Sequence, residues 1–302
     1  MRLTEAQGRV ANMEELLALV EAMRSLAGMH LQAATHALEA VRRYAEALAQ
    51  AIRDALTLAL DKRAAAPGER ARGATGRALI VCTSEHGFVG GLNDRLLQTA
   101  ATDLRNTDTL LVLGSRGVAR ATERGLRVHW QHPMPTRVAS IPSAVRQAES
   151  HLYSLIAHTE TVRVEVIFGR LQQNGAVAIE RRRLFPLELS AGAARAARLP
   201  PMHNLPAGLL LEQLTGEYLL AQLMEAATES LASENAARFA TMQAAQDHAT
   251  RRLGKLRQLA SEARQEEITS DLLDLMTGEL AVDERAGHAV HDTIGAVRKS
   301  AG

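Results

Sequence analysis

Seven residues, Gly87-Phe88-Val89-Gly90-Gly91-Leu92-Asn93, follow a short apolar run and open a helical pattern. Glycines at such a strand-to-helix turn let backbone N–H groups close on a phosphate, and the helix N-terminus adds partial positive charge. The loop lacks the Gly-Lys-Ser/Thr of a P-loop and the full G-x-G-x-x-G spacing. The plainer reading is a tight turn that brings backbone close to another element. Gly114-Ser115-Arg116-Gly117, after a second apolar run, has the same character more weakly. The 11 histidines form no convincing set. His288 and His291 could share a metal at i, i+3, but no cysteine follows, and a solvated tail explains them. His129 and His132 lie beside Trp130 and Pro133 at a strand end. Cys82 sits inside a strand with no base fixed near it, which reads as a buried, inert thiol. There is no G-x-S-x-G, no H-E-x-x-H and no carboxylate pair at a strand end. No catalytic residue, metal or cofactor is expected.

The elements that must position these residues are dominated by helix. The chain has 302 residues, 54 of them alanine, with 46% hydrophobic but only 3% aromatic residues. Aromatics dominate the burial of most cores. Alanine with Leu, Glu, Arg and Gln is instead the composition of long helices and coiled coils. Lys and Arg number 35 against 34 Asp and Glu, a net charge of +1, which argues against a basic nucleic-acid-binding face. One cysteine excludes a disulfide framework. No apolar run reaches the roughly 18 residues of a membrane span, and Met1-Arg2-Leu3-Thr4-Glu5 lacks the apolar core of a signal peptide. The expected place is the cytosol or the cytosolic face of a membrane.

An apolar seam runs in alternating threes and fours through Leu3, Ala6, Val10, Met13, Leu17, Val20, Arg24, Ala27, Leu31, Ala34, Leu38, Val41, Ala45, Leu48, Ile52, Ala55 and Ala59. Only Arg24 is polar. Such regularity predicts a coiled-coil helix of roughly 85 Å, which needs a partner helix. Arg24 reads either as a residue that sets register or as one handled from outside. The predicted organisation is a coiled-coil helix over 1–60, a linker over 61–76, an α/β domain over 77–190 and a second linker over 191–208. A coiled-coil helix over 209–282 and a tail over 283–302 follow. In the middle domain, strand runs at Ala78–Thr83, Leu110–Leu113, Leu126–Trp130 and Val162–Phe168 alternate with helical stretches, and Gly175–Leu184 could return as an antiparallel edge. The expected fold is α/β plus coiled coil: long antiparallel N- and C-terminal helices flanking a Rossmann-like open α/β domain. The C-terminal helix is the longer, so its tip would overhang. Ile268, Leu272, Leu273, Leu275, Met276, Leu280, Ala281 and Val282 make that tip apolar, a surface that calls for a hydrophobic sleeve.

Four motifs carry a family resemblance. Leu231-Ala232-Ser233-Glu234-Asn235-Ala236-Ala237-Arg238-Phe239-Ala240-Thr241-Met242 is similar to L-x-S-E-x-A-A-R-x-x-A-M. Ala263-Arg264-Gln265-Glu266-Glu267-Ile268-Thr269-Ser270-Asp271-Leu272 is similar to N-x-A-R-Q-x-x-I-T-x-E-L. Ser84-Glu85-His86-Gly87-Phe88-Val89-Gly90-Gly91-Leu92-Asn93 is similar to S-D-R-G-L-C-G-G-x-N, and Ala22-Met23 to the end of I-T-K-A-M. Over residues 1 to 282 the chain resembles the gamma subunits of F-type ATP synthases, in a divergent or alternative, sodium-type form. The resemblance implies a non-catalytic rotor shaft that couples proton or sodium flow through a c ring to conformational cycling of catalytic beta subunits. It implies an alpha3-beta3 hexamer, an epsilon subunit and the c ring as partners, and peripheral attachment to the cytoplasmic face of a bacterial inner membrane. Met23, Arg24, Arg264, Gln265 and Thr269 then become contacts to the beta subunits. Glu234 and Arg238 belong to the coil motif, and Met202, His203 and Asn204 stand where the family meets the c ring.

The departures are specific. Glu21 replaces the family's Lys, and Gly28-Met29-His30 replace basic residues. His86 replaces Arg, Val89 replaces Cys, and Met202-His203-Asn204 stand for Y-E-P. Asp271 replaces Glu, and Glu279 follows Gly278. Gly287 and Gly295 argue against a stiff continuation of the tail. From the residues themselves two other classes stay open. One is an α/β enzyme that holds a nucleotide on Gly87–Asn93 and dimerises through its helices; the other is a non-enzymatic coiled-coil adaptor.

Overall fold

A computed structural model describes residues 3–60, 76–158, 161–187 and 202–299. For 57–60, 158, 161–162 and 274–299 it describes the backbone alone. The element order is α1 (Leu3–Leu60), β1 (Gly76–Cys82), α2 (Leu92–Ala101), β2 (Thr109–Leu113), α3 (Ser115–Glu123), β3 (Trp130–His132), α4 (Ile141–His158), β4 (Thr161–Leu171), β5 (Val177–Phe185) and α5 (Ala207–Lys299). The third strand begins at Trp130, where the pattern had placed its end. The first linker, but for its last residue, and the second as far as residue 201 fall outside the described residues. The helical backbone of α5 runs past Val282, where the pattern ended it. A glycine inside a helix costs only about 1 kcal/mol, and the residues around Gly287 and Gly295 are mostly good helix formers.

The chain divides into two compact units. One holds residues 22–243, the other residues 1–21 with 244–302.

In the first unit the sheet runs β3-β2-β1-β4-β5. β1 pairs in parallel with β2 and β4, and β2 with β3. β4 and β5 form an antiparallel edge with Ile167 opposite Arg181. Strand alternation sorts side chains to two faces. Ala78, Ile80 and Cys82 of β1 join Leu111 and Leu113 of β2 and Val164, Val166 and Phe168 of β4 on one face. There they pack on α4 through Ile141, Val145 and Leu152, on α5 through Leu219 to Ala232, and on Ala34 of α1. Leu79, Val81, Leu110, Val112 and Ile167 face the other way, onto Leu92, Leu96 and Ala100 of α2. The helical pair in this unit is antiparallel. Arg24 reaches Gln243 at 2.7 Å, and further along α1 Tyr44 reaches Glu217 at 3.0 Å.

In the second unit the two helices again run antiparallel, with Gln246 on Glu21 at 2.9 Å and Arg257 on Glu14 at 2.7 Å. Met242 of the first unit and Ala249, Leu253, Leu256 and Ala263 of the second are buried along α5, as the seam requires.

Candidate functional site

The glycine loop after β1 is built against α5. Phe88 and Gly90 take positive φ, 62° and 56°. That backbone turns the loop so that the N–H groups of Glu85 and His86 donate to the Glu234 carboxylate. Arg238 returns from α5, donating to Glu234 at 2.6 Å, to the Gly87 carbonyl at 3.2 Å and to the His86 carbonyl at 3.4 Å. Ser230 donates to the Cys82 carbonyl at 3.0 Å. Burial lifts the Glu234 carboxyl above its ordinary range, against the pull of Arg238 and the two loop N–H groups.

The loop is pinned from the other side as well. Asn93 donates to Ser84 Oγ at 2.8 Å and accepts from the Ser84 N–H at 3.0 Å. Glu85 accepts from the backbone and hydroxyl of Ser115, at 3.0 and 2.7 Å, and from the Met134 N–H at 2.9 Å. It thereby supplies an acceptor to the first turn of α3. Burial would raise the Glu85 carboxyl, but the bonds from Ser115 and Met134 outweigh it and hold the carboxyl low. Gly114 and Gly117 are explained by contact rather than by phosphate: a Cβ on Gly117 would sit 2.0 Å from Thr83 Oγ1, and one on Gly114 2.5 Å.

In open α/β sheets a ligand sits beyond the carboxyl ends of the strands, where the strand order reverses. Here that place lies between β1 and β4, and it is filled by the Ser230–Arg238 stretch of α5. The N–H groups of Glu85 and His86, just before the glycines, are directed at Glu234. The arrangement defines a sheet domain locked to its own helices, the architecture of a stalk and not of a nucleotide-binding enzyme.

Comparison with known proteins agrees. A family described as ATP synthase matches residues 2–282, and the chain belongs to that family, as a gamma chain, the non-catalytic central stalk. The ATP synthase gamma chain of Geobacter metallireducens is 25% identical over 89% of this chain and 95% of its own length. That of Synechocystis is 27% identical over 89% of this chain and 96% of its own. The rotor of the Euglena gracilis mitochondrial ATP synthase has the same fold, with a TM-score of 0.58 at 12% identity over 88% of this chain and 98% of that one. So does the central stalk of the Tetrahymena thermophila enzyme, with a TM-score of 0.53 at 18% identity over 75% of this chain and 99% of that one.

The other expected site residues lie apart from the loop. Met23 is half-buried. Arg24 turns across to α5, donating to Gln243 at 2.7 Å with its guanidinium 5.9 Å from the Phe239 ring centre. That geometry supports the register role for the one polar residue of the seam. Arg264, Gln265 and Thr269 are exposed, and the Thr269 hydroxyl donates to the Gln265 carbonyl of its own helix at 2.8 Å. Ile268, Leu272 and Leu273 beside them are 52%, 56% and 57% exposed. The rest of the expected apolar tip, from Leu275 to Val282, and the side chains of His288 and His291 lie outside the described side chains. Met202, His203 and Asn204 are exposed just before α5. With Ala51, Asp54, Ala55, Leu205, Leu210 and Leu214 they line a depression of about 560 Å³.

The sequence reading did not foresee how thoroughly the polar residues in the middle of α5 are enclosed. Glu225, Thr228, Glu229, Ser230, Ser233, Glu234 and Asn235 are all buried. Consecutive polar residues flanked by alanines were the available signal, since a helix closed in on several sides buries more than its seam.

Proposed function

We propose that this chain is the shaft through which ion flow in a membrane-embedded c ring drives the catalytic cycle of an alpha3-beta3 hexamer, with an epsilon subunit alongside. The observation that carries the reading is an exposed stretch of α5. From Arg264 to Leu273 every side chain is exposed, including Ile268, Leu272 and Leu273. Leaving so much apolar surface in water is costly, and a protein sleeve would remove the cost. The Tetrahymena structure is of a central stalk with a c ring, and the Euglena structure is of a rotor. They support the same partners here.

In this reading Met23, Arg24, Arg264, Gln265 and Thr269 are each contacts to the beta subunits. Met202, His203 and Asn204 face the c ring. The coupling ion, proton or sodium, is chosen in the c ring and its partner. The complex would sit on the cytoplasmic face of a bacterial inner membrane, as the bacterial relatives favour. Among the described residues no helix is long and apolar enough to cross a membrane.

Co-expression with the two hexamer subunits tests the reading. Stoichiometric co-purification in a ratio of three to three to one is expected, and failure to assemble with any such hexamer would end it. Arg264→Ala and Thr269→Ala should lower ATP-driven ion pumping more than they lower thermal stability. Unchanged pumping in both would remove these residues from the coupling site.

A further inference from the structure

Six charged side chains close into a ring around α5. Arg42 of α1 bonds Glu229 of α5 and lies 3.6 Å from Glu225, one turn earlier. Arg182 of β5 bonds Glu225 at 3.0 Å and Glu180, also of β5, at 2.7 Å. Arg170 of β4 bonds Glu180 at 2.8 Å and approaches Glu229 at 3.9 Å, which closes the circuit. Charges alternate all the way round. Arg182 also holds Gln222 at 3.0 Å and stacks over Phe168 at 5.0 Å. Two helices and two strands are thus joined through one circuit.

Stability is a weak reason for such a ring. Taking charges out of water offsets most of what their pairing gains, and well-packed apolar residues often hold a fold as well. The Glu229 side chain is 1% exposed, and its Oε2 makes no hydrogen bond. A device for stability alone would not carry that cost. Direction is what the ring offers. The rest of this contact is apolar, with Leu219, Leu223, Leu231 and Phe168 beside Ala34, Ala226, Ala227 and Ala232, and its attraction is non-directional. Charge-assisted bonds lose strength when their geometry is turned. Turning the sheet about the helices must also break a closed ring at two links at once.

We propose that the ring of Arg42, Glu229, Arg170, Glu180, Arg182 and Glu225 is the joint that carries torque between the sheet domain and the helical shaft. The inference rests on the rotor reading and assigns these residues a positioning role.

The test uses the assembled complex in sealed vesicles. It measures ATP hydrolysis and ion pumping per ATP, with and without an opposing ion gradient. Arg182→Met opens the ring at the link between β5 and α5. Arg182→Met/Glu225→Leu removes that link together with its stranded charge and should fold as stably as the parent. Arg182→Lys keeps the charge but loses the fork that spans Glu180 and Glu225, which makes it the mildest change. The expected result is retained assembly and hydrolysis with a loss of pumping against the gradient in all three, smallest in Arg182→Lys. Full pumping restored by the double variant would overturn the proposal, because the ring would then be merely structural. So would unaltered pumping in Arg182→Lys and the double variant. If the parent chain itself failed to assemble, the rotor reading would fall instead, and the two failures are told apart by that control.

Discussion

A Cβ built on Gly169 of β4 would lie 2.8 Å from the Cβ of Ser233 on α5. The helix therefore rests on the strand with no room for a methyl group. Both partners are committed, since Ser233 is fully buried and its hydroxyl makes no hydrogen bond. Gly169→Ala should destabilise by about 1–3 kcal/mol, the usual cost of overpacking. Ser233→Ala removes an unsatisfied hydroxyl and should stay within about 1 kcal/mol of the parent, or exceed it. Urea unfolding of both variants checks the pair, and the opposite order would contradict the contact.

Glu234 is predicted to hold the glycine loop. Replacing it with Gln removes a charge-assisted acceptor worth about 1.5–3 kcal/mol. Amide exchange at Glu85 and His86, the two donors to that carboxylate, should quicken roughly tenfold or more. Exchange in β2 should not change. Protection at Glu85 and His86 equal to the parent would mean that the loop is held by Arg238 and Asn93 alone.

Asp103 gives a pH dependence. Arg181 first, and Arg77 after it, hold its carboxyl at about 2, below the ordinary 3.8. A lowered carboxyl adds stability that is complete above the ordinary value and is lost as pH falls towards the lowered one. Asp103→Asn should therefore be less stable than the parent at neutral pH, and the gap should close as pH falls from about 4 to about 2. The side chain is half-exposed, so the gap is small. Denaturant midpoints measured over that range decide it, and a gap that widened on acidification would be the contrary sign.

Cys82 should be chemically silent. It is buried in β1, and burial pushes its thiol up to about 12. Only the thiolate reacts at a useful rate. A thiol-reactive aromatic disulfide should leave the native protein unlabelled for hours and label it promptly in denaturant. Rapid labelling of the native chain would show that β1 opens readily.

The seam of α1 was legible because a coiled coil repeats one simple requirement. Each position of that seam from Leu3 to Ala55 is buried or half-buried. Arg24 stood out by the same rule, and its contact with Gln243 explains it. The β1, β2 and β4 runs were legible from their length and apolarity, and β3 was less so because three residues give little pattern. The extent of α5 past Val282 is not legible, because Gly287 and Gly295 weaken the helical pattern without costing enough to end the helix.

By itself the sequence determined two long helices, an α/β middle and a loop shaped by glycines, since each of these depends on neighbours in the chain. Only the tertiary structure decided that the loop faces Glu234 and Arg238 rather than a phosphate. Those residues lie about 150 positions away, with Arg238 separated from Gly87 by 151. The same holds for the ring that joins Arg42 to Glu229 across 187 positions. A charge on a helix looks alike in sequence whether it meets water or an opposite charge, and burial, which separates the two, exists only once sheet and helices have closed on one another.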